Sequence, residues 1–356
     1  MTLSIVKSED SSSPPSAVPS DLRLRDIINT LPSDVFVQDR YKAWMTVIIN
    51  VLMVGLGWLG IAIAPWFLLP VLWVFTGTAL TGFFVIGHDC GHRSFSRNVW
   101  VNDWVGHIMF LPIIYPFHSW RIGHNQHHKY TNRMGLDNAW QPWRKEEYQN
   151  AGKLMQVTYD LFRGRAWWIG SILHWASLHF DWTKFEGKQR QQVKFSSLLV
   201  IGAAAIAFPT MILTIGVWGF VKFWLLPWLV FHFWMSTFTL LHHTITDIPF
   251  REPEKWHEAE SQLSGTVHCN YPRWVEFLCH DINVHVPHHV TTAIPWYNLR
   301  KAYASLQENW GEYLYPECDF SWGLMKEVVD HCHLYDENNN YQSIPDYKKS
   351  LAVAEK

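Results

Sequence analysis

The chain is poor in charge and has no cysteine framework. Only 17% of its 356 residues are Asp, Glu, Lys or Arg, and the formal net charge is -2. A chain without a basic excess gives no reason to expect a nucleic acid partner. The five cysteines form an odd, scattered set without a Cys-x-x-Cys pair, which argues against a disulfide framework and against a thiolate zinc site. Reduced thiols are therefore expected.

The N-terminus lacks the apolar core of a signal peptide. Residues 1–20 are instead rich in Ser and Pro. We expect residues 1–40 to form a disordered or interfacial tail, residues 41–310 to form a membrane domain and residues 311–356 to form a cytoplasmic C-terminal tail.

Long apolar runs dominate the rest of the chain, of which 48% is hydrophobic. Four runs without acidic or basic residues each have about the 20 residues that a helix needs to cross a bilayer. They occur as two pairs with very short connections: 45–64 with 66–86, and 198–217 with 223–241. A soluble core seldom uses four such runs. The pattern predicts an all-α integral membrane protein with four transmembrane helices in two hairpins.

Other apolar features fit the membrane interface. Residues 100–116 are apolar but interrupted by Asn102, Asp103 and His107, so we expect them to be interfacial or re-entrant. Tryptophan side chains favour the same interface. The nine Trp that we expect to anchor the chain there, some of them lining a cavity instead, are Trp44, Trp66, Trp100, Trp104, Trp120, Trp140, Trp143, Trp167 and Trp168.

The distribution of basic residues predicts the orientation. Residues 87–197, between the two hairpins, carry fourteen Lys and Arg, whereas the hairpin tips contain only Lys222. By the positive-inside tendency, the N-terminus, this middle segment and the C-terminal region are cytoplasmic. An even number of spans then separates the polar segments, so all of them emerge on one face as a cytoplasmic helical cap.

Three tight histidine clusters lie in these polar segments or at the ends of the spans. Spacings of three and four residues bring side chains onto one face of a helix. Neighbouring histidines diverge by about 100° on a helix and can serve two different metal ions. Pro287 favours a helix that begins near His288, with His285 in the preceding loop. The clusters are His88 and His92; His124, His127 and His128; and His285, His288 and His289.

Imidazole is a common transition-metal ligand, so the clusters predict a metal centre. Of the remaining histidines, His243 is the first candidate for a ninth ligand because it follows the fourth span, with His242 beside it and His280 weaker. Ligand type alone leaves zinc, copper, iron and nickel open. A carboxylate-bridged bundle would need two Glu-x-x-His motifs, and only Glu254 with His257 forms one.

The motifs His88-x-x-x-His92, His124-x-x-His127-His128 and His285-x-x-His288-His289 resemble the three histidine boxes of integral membrane fatty acyl desaturases. The likeness covers about residues 40–310. The segment 87–132 (GHDCGHRSF to HNQHHKYTN) is similar to the cyanobacterial and plastid acyl-lipid delta-12 (omega-6) branch. The resemblance implies that the eight box histidines, with His243, bind two iron ions.

The resemblance also implies the reaction and its partners. An acyl-lipid desaturase uses dioxygen as co-substrate and inserts a cis double bond, here expected at delta-12 of a monounsaturated C18 chain of a membrane glycerolipid. No side chain beyond the metal ligands need be catalytic, although Asp89, Asp137 and Asp281 could orient imidazoles. No His-Pro-Gly-Gly haem motif occurs, so electrons need a separate donor, for which the resemblance points to ferredoxin. The expected location is a bacterial-type plasma or thylakoid membrane.

Three alternatives stay open. A fatty acyl hydroxylase, or a desaturase of another regiospecificity, could use the same scaffold. A membrane haem protein would need paired histidines within spans, and only His232 lies inside one. A non-catalytic metal-binding or transport protein would place its ligands along the membrane path, whereas these clusters lie beyond it.

Overall fold

The computed structural model describes residues 15–354 and is mainly helical there. The disorder expected for residues 1–14 lies outside the described residues. The α-helices are α1 (Leu24–Ile28), α2 (Arg40–Ile63), α3 (Leu69–His92), α4 (Val99–Phe110), α5 (Phe117–Lys129), α6 (Lys145–Asn150), α7 (Lys153–Arg163), α8 (Gly170–Leu178), α9 (Gly187–Phe220), α10 (Leu226–His243), α11 (Glu258–Ser264), α12 (Arg273–Leu278), α13 (His285–Val290), α14 (Leu299–Trp310), α15 (Trp322–His331) and α16 (Ile344–Ala354). Two small sheets pair β1 (Cys269–Asn270) with β2 (Cys318–Asp319) in parallel and β3 (Leu334–Asp336) with β4 (Asn340–Gln342) antiparallel.

Helix α2 has one packed face and one exposed apolar face. The Asp39 carboxylate caps its N-terminus by accepting hydrogen bonds from the backbone N–H groups of Tyr41 and Lys42, at 2.9 and 3.1 Å. Its buried residues recur every three or four positions, as expected for one side of a helix. Exposed Leu52 and Leu56 lie among them. An exposed apolar face of this length is the face that a helix presents to lipid.

Three helical stretches are long and apolar enough to cross a membrane: Arg40–Ile63, Trp66–His92 and Gly187–His243. The last has 57 residues and is interrupted at Gly216, whose φ of 76° lies in the left-handed region. The Phe208 and Trp224 rings nevertheless lie 4.4 Å apart, where a straight helix would separate them by about 24 Å. The chain therefore folds back at Gly216.

This bend differs in position from the sequence expectation. The connection was expected between residues 217 and 223, but residues 217–220 are helical and Val221–Leu225 forms a π-helical turn that leads into α10. Gly216 is the residue that tolerates the left-handed conformation without a Cβ clash, so the reversal occurs there.

Helix α3 is the centre of the fold and is buried almost continuously from Thr76 to Gly91. It packs against α2, α4 and α10. The Phe84 ring stacks on Phe110 at 5.1 Å and contacts Trp120 edge-on at 5.2 Å. A Cβ atom at Gly87 would lie 2.2 Å from the Phe110 ring, so this glycine permits the close approach of α3 and α4. Such tight packing holds the last turn of α3 in a fixed position.

The two terminal segments are packed where the structure describes them. Ile27, Leu31 and Val35 are fully or almost fully buried in a cluster with residues of α11, α13 and α14. Met325 and Val328 of α15 are buried in a second cluster beside α10. Both segments are therefore packed on the helical body through buried apolar side chains, and the bounds of the domains stay a prediction.

The stretch after α3 does not form another long span. Helix α4 has 12 residues, and the turn that follows is held by the indole N–H groups of Trp224 and Trp228, which donate to the Pro112 and Ile113 carbonyls at 2.9 Å. This turn thus contacts the π-helical turn at Trp224 and the first turn of α10 at Trp228, both within the fourth apolar stretch, as expected for a re-entrant segment.

Candidate functional site

Four helix ends bring the predicted histidines together. His88 and His92 lie in the last two turns of α3, and Arg93, with a left-handed φ of 66°, caps the end of this helix. The second cluster lies in the last two turns of α5, His243 ends α10, and the third cluster lies in α13. The helix α13 begins at His285 itself, so this residue is not in the preceding loop as expected. All nine predicted site residues converge in one place.

Five of them form what we call the first histidine group. One ring nitrogen from each lies within 4.8 Å of the others. The ring centroids of His88 and His288 are 4.5 Å apart, and those of His92 and His128 are 4.7 Å apart. The group consists of His88, His92, His124, His128 and His288.

The other four histidines form the second histidine group. His127, His243 and His289 meet the same 4.8 Å criterion. His285 joins them, because its Nε2 atom lies 3.1 Å from Nε2 of His243 and 3.2 Å from Nε2 of His289. The groups touch where the His128 and His289 rings stack at 4.3 Å. Adjacent His127 and His128 thus belong to different groups, as their divergence on α5 predicted.

The outer nitrogens of the second group all meet protein acceptors. Nδ1 of His127 lies 2.7 Å from the Asp137 carboxylate, and Nδ1 of His243 lies 3.3 Å from the Gly265 carbonyl. Nδ1 of His285 lies 3.2 Å from the carbonyl of Ile282. Nδ1 of His289 lies 3.2 Å from Oε1 of Gln262. These acceptors place the ring proton on Nδ1 in each case.

A proton on Nδ1 leaves a lone pair on each inward Nε2 atom. Nε2 atoms of the second group lie 3.1–3.2 Å apart, yet none of them has a proton to share. Lone pairs that face one another at this distance repel unless a cation lies between them. The donor set therefore fits a metal ion.

The first group also indicates a metal ion, because several of its ring nitrogens lack hydrogen-bond partners in the described part of the chain. Buried Nε2 atoms of His88, His92 and His288 have no hydrogen-bond partner within the described chain. An unsatisfied buried polar atom costs roughly 1–3 kcal/mol, so three in one cluster need an explanation. A metal ion bound at these nitrogens supplies it.

The protonation state of the cap histidines also suits ligation. Burial lowers the pKa of His124, His128, His285, His288 and His289 well below the usual value, and the neighbouring histidines lower it further. These imidazoles are therefore neutral near pH 7. Neutral imidazole is the form that binds a metal, since a protonated ring has no free lone pair.

The three acidic residues considered as imidazole partners behave differently. Asp137 contacts His127 directly and also accepts from the Asn132 and Ala139 backbone N–H groups, at 2.7 and 2.9 Å. Asp89 lies at a longer 3.4 Å from His88 Nδ1. Asp281 instead pairs with Arg300 at 2.6 Å and touches no site histidine. Only Asp137 is thus firmly placed to orient a ligand.

The histidines that were weaker candidates for a metal ligand, His242 and His280, lie outside both groups. The His242 ring lies 4.6 Å from His285, but its Nε2 atom has no hydrogen-bond partner among the described residues, and the residue lines the adjoining cavity. His280 lies beside Asn50, 3.3 Å from its side-chain oxygen, and outside both groups. His232, the one histidine expected within a span, binds Ser171 at 2.9 Å.

A cavity of about 690 Å³ adjoins both histidine groups. His88 and His124 of the first group and His127, His243 and His285 of the second reach its wall. The rest of the lining is mainly apolar and aromatic, from α3, α5, α7, α8 and α10. Pockets of this size and character hold extended apolar ligands. The geometry therefore places imidazole nitrogens of both histidine groups against a space that suits an extended apolar ligand.

The tryptophans divide between surface and interior. Trp66 and Trp100 are 81% and 73% exposed, as expected for interfacial anchors, whereas Trp120 and Trp167 are buried. The three of the nine that line the cavity are Trp120, Trp140 and Trp143. Other cavity residues, such as Met155 and Phe162 of α7, were not found by sequence reasoning. The sequence pattern that could have indicated them is the helical spacing of apolar residues in 154–162, but the same pattern is typical of any amphipathic helix.

Comparison with known proteins agrees with the geometry. A family model for fatty acid desaturases matches residues 64–321. An sn-1 oleoyl-lipid 12-desaturase of Arthrospira platensis is 91% identical over 332 residues, covering 93% of this chain and 95% of the relative. A protein of the same name from Anabaena variabilis is 60% identical over 348 residues, covering 98% and 99%. A chloroplastic omega-6 fatty acid desaturase of Glycine max is 50% identical over 321 residues, covering 90% and 75%. The predicted resemblance is confirmed, and the chain belongs to the fatty acid desaturase family.

Proposed function

We propose that this protein is an acyl-lipid desaturase that inserts a cis double bond at delta-12 of an oleoyl chain carried by a membrane glycerolipid. The observation that carries the proposal is the convergence of nine histidines, five of which reach the wall of an apolar cavity. The printed names of the relatives at 91% and 60% identity support the oleoyl-lipid substrate and the delta-12 position.

The two histidine groups are the binding sites of two iron ions. The first group contributes five imidazoles to one ion and the second contributes four to the other. Imidazole suits several metals, so the choice of iron rests on the family and on the redox chemistry of desaturation. Bound iron would supply the oxidising power, drawn from dioxygen that ends as water, for removing two hydrogens from an unactivated chain.

The protein's own residues orient the ligands and exclude water. Asp137 holds the proton on Nδ1 of His127 and so directs Nε2 toward the second group. The backbone carbonyls of Gly265 and Ile282 do the same for His243 and His285. Aromatic walls that include Phe84 and Phe238 keep the cavity dry and hold the chain against the metal-binding face.

The proposed topology has four spans in two hairpins, with the chain reversal at Gly216 separating the third span from the fourth. Residues 41–310 form the desaturase domain, and the histidine groups lie in a cap on the cytoplasmic face. The bias of basic residues toward residues 87–197 supports this orientation. The protein is then a multi-pass protein of a plasma or thylakoid membrane.

Two electrons are needed for each double bond, since the chain supplies two and dioxygen takes four. A soluble ferredoxin is the proposed donor. Its acidic surface would meet the basic residues of the cytoplasmic cap, among them exposed Arg97 and Lys129.

Expression in a host that makes monounsaturated but no polyunsaturated chains, together with a ferredoxin system, tests the function. The expected product is a diene whose second double bond is at delta-12, located by derivatisation and mass spectrometry. The diene disappears in the His127→Ala variant. A hydroxylated chain or a double bond elsewhere would overturn the regiochemical assignment and favour the hydroxylase or another desaturase on the same scaffold.

A further inference from the structure

Helix α7 separates the cavity from the outer surface and presents three different faces. Met155, Thr158, Tyr159 and Phe162 line the cavity, at the i, i+3, i+4 and i+7 positions of one helix face. Asp160 on a second face pairs with the Lys348 ammonium group at 3.1 Å. The third face is apolar and unpacked.

The unpacked face is unusually exposed for apolar side chains. Leu154, Val157 and Leu161 have 82%, 57% and 47% of their surfaces exposed. They recur at i, i+3 and i+7, so they form one stripe along α7. A contiguous exposed apolar stripe marks an interaction surface, and in a membrane protein its ordinary neighbour is lipid.

The cavity opens beside this stripe. Met155 of α7 and Leu173 and Leu178 of α8 both line the cavity and are exposed, by 56%, 44% and 37%. A residue that satisfies both conditions stands at the mouth of a cavity. The mouth therefore lies between α7 and α8 and is rimmed by apolar side chains. Lys184, half exposed and 3.7 Å from the exposed Asp181 carboxylate, is the cation on its rim.

Helix α8 places this mouth at the depth of the apolar helices. The Trp175 ring packs on Trp228 of α10 at 5.5 Å, and the Ser171 N–H donates to Ser236 at 3.0 Å. Trp228 precedes His243 by 15 residues, or about 22 Å along a helix. Thus α8 runs alongside the apolar length of α10, and the opening faces the region that a bilayer occupies.

The first turn of α7 is held by one side-chain bond, from Nε2 of Gln156 to the Tyr148 carbonyl at 2.7 Å, and its second half by more. The Tyr159 hydroxyl donates to the His333 carbonyl at 2.6 Å, and Nε of Arg163 donates to the Cys332 carbonyl at 3.0 Å. The first turn, with Leu154 and Met155, has its side chains largely exposed. The rim residue Met155 therefore lies on the more weakly held end of the helix.

We propose that the gap between α7 and α8 is a lateral portal through which the acyl chain of a bilayer glycerolipid enters the cavity. This inference rests on the proposed function for its choice of lipid. The apolar rim passes the chain without exposing it to water, and Lys184 meets the anionic or polar headgroup that stays outside. A substrate carried by a soluble protein would need an entrance on the polar cap instead.

Photolabelling tests the portal separately from the reaction. The full chain with its metal is placed in phosphatidylglycerol vesicles containing a phosphatidylglycerol whose sn-1 chain carries a diazirine. After photolysis, mass spectrometry locates the labelled peptides. We expect labels on cavity residues such as His174 and Tyr159 in the wild type, and their loss in Met155→Trp, because the indole closes the mouth.

Leu154→Trp is the matched control. Leu154 directly precedes Met155 on the same helix, is more exposed than Met155 and does not line the cavity. It should retain the wild-type labels. Leu173→Trp closes the mouth from the opposite helix, and Met155→Ala widens it and should increase cavity labelling, so the test does not depend on one variant. Unchanged cavity labelling in Met155→Trp and Leu173→Trp would overturn the portal. If the wild type labels its cavity but forms no diene, the proposed function fails while the portal stands.

Discussion

Nδ1 of His127 lies 2.7 Å from Oδ1 of Asp137, and the Asp137 side chain is completely buried. This contact sets which ring nitrogen carries the proton. Because two backbone N–H groups also hold the carboxylate, the His127 ring is fixed in position as well as in tautomer. Partners of this kind contribute strongly to metal affinity although they never touch the metal.

Asp137→Ala should therefore weaken iron binding by roughly 10–100-fold and reduce diene formation with it. Iron per chain, measured by atomic absorption after dialysis against a graded chelator, checks the affinity. Asp281→Ala is the control because Asp281 pairs with Arg300 instead of a site histidine. Equal iron retention in the two variants would contradict the role assigned to Asp137.

His285→Ala should lower the iron content from two ions per chain toward one. Its Nε2 atom faces both His243 and His289, so its loss opens the second group while leaving the five nitrogens of the first intact. His280→Ala, five residues earlier in the chain and outside both groups, should keep both ions. Measuring the iron content per chain of the two purified variants tests this prediction. Two ions retained in His285→Ala would remove His285 from the ligand set.

Gly87→Ala should destabilise the protein by about 1–3 kcal/mol, as expected for overpacking a tight core. The new Cβ would lie 2.2 Å from the Phe110 ring, which is itself stacked on Phe84. Gly55→Ala is the matched helical control, with nothing within 4 Å of its Cβ, and should be neutral or slightly stabilising. Thermal unfolding in detergent compares them. A wild-type melting temperature for Gly87→Ala would show that α3 and α4 can move apart.

Acid should destabilise the metal-free protein. Burial lowers the pKa of His128, His288 and His289 in the folded state, whereas the same groups titrate near pH 6.5 when unfolded. Below that pH the unfolded chain binds more protons, so the free energy of unfolding falls as the pH drops. Each group contributes about 1.4 kcal/mol per pH unit within this window.

Melting temperatures of the metal-free protein at pH 7.5 and pH 5.0 provide the measurement, with pH 8.5 as the reference where these groups are neutral in both states. His288→Gln should show a shallower decline because it removes one of the titrating groups. Identical melting temperatures at pH 5.0 and 7.5 would mean that the histidines take up protons in the folded state.

The spacing of residues along the chain was sufficient to find the eight clustered histidines and the apolar stretches, and the resemblance of their motifs to a known family indicated the family. Residues three and four apart share a helix face whatever surrounds the helix, so His124, His127 and His128 could be interpreted without knowing what they meet. The choice of His243 over His280 also followed from position, because it ends the last apolar stretch before the third cluster.

Other features depended on which elements meet in space. Asp137 and Asp281 look alike in the sequence, but only the packing of the loop after α5 brings Asp137 to His127 while Arg300 takes Asp281. Trp120 has the composition of an interfacial anchor and is buried because α5 packs under α3.

One physical cause separates the features that the sequence predicts from those that only the structure shows. Helical periodicity and hydrophobic length are properties of neighbouring residues, so they determined the helices, the metal-ligand pattern and the class of protein from the chain alone. The two histidine groups and the cavity mouth between Met155 and Leu173 arise from contacts between residues far apart in the chain. Only the tertiary structure decides such contacts, because they depend on the close packing of whole helices.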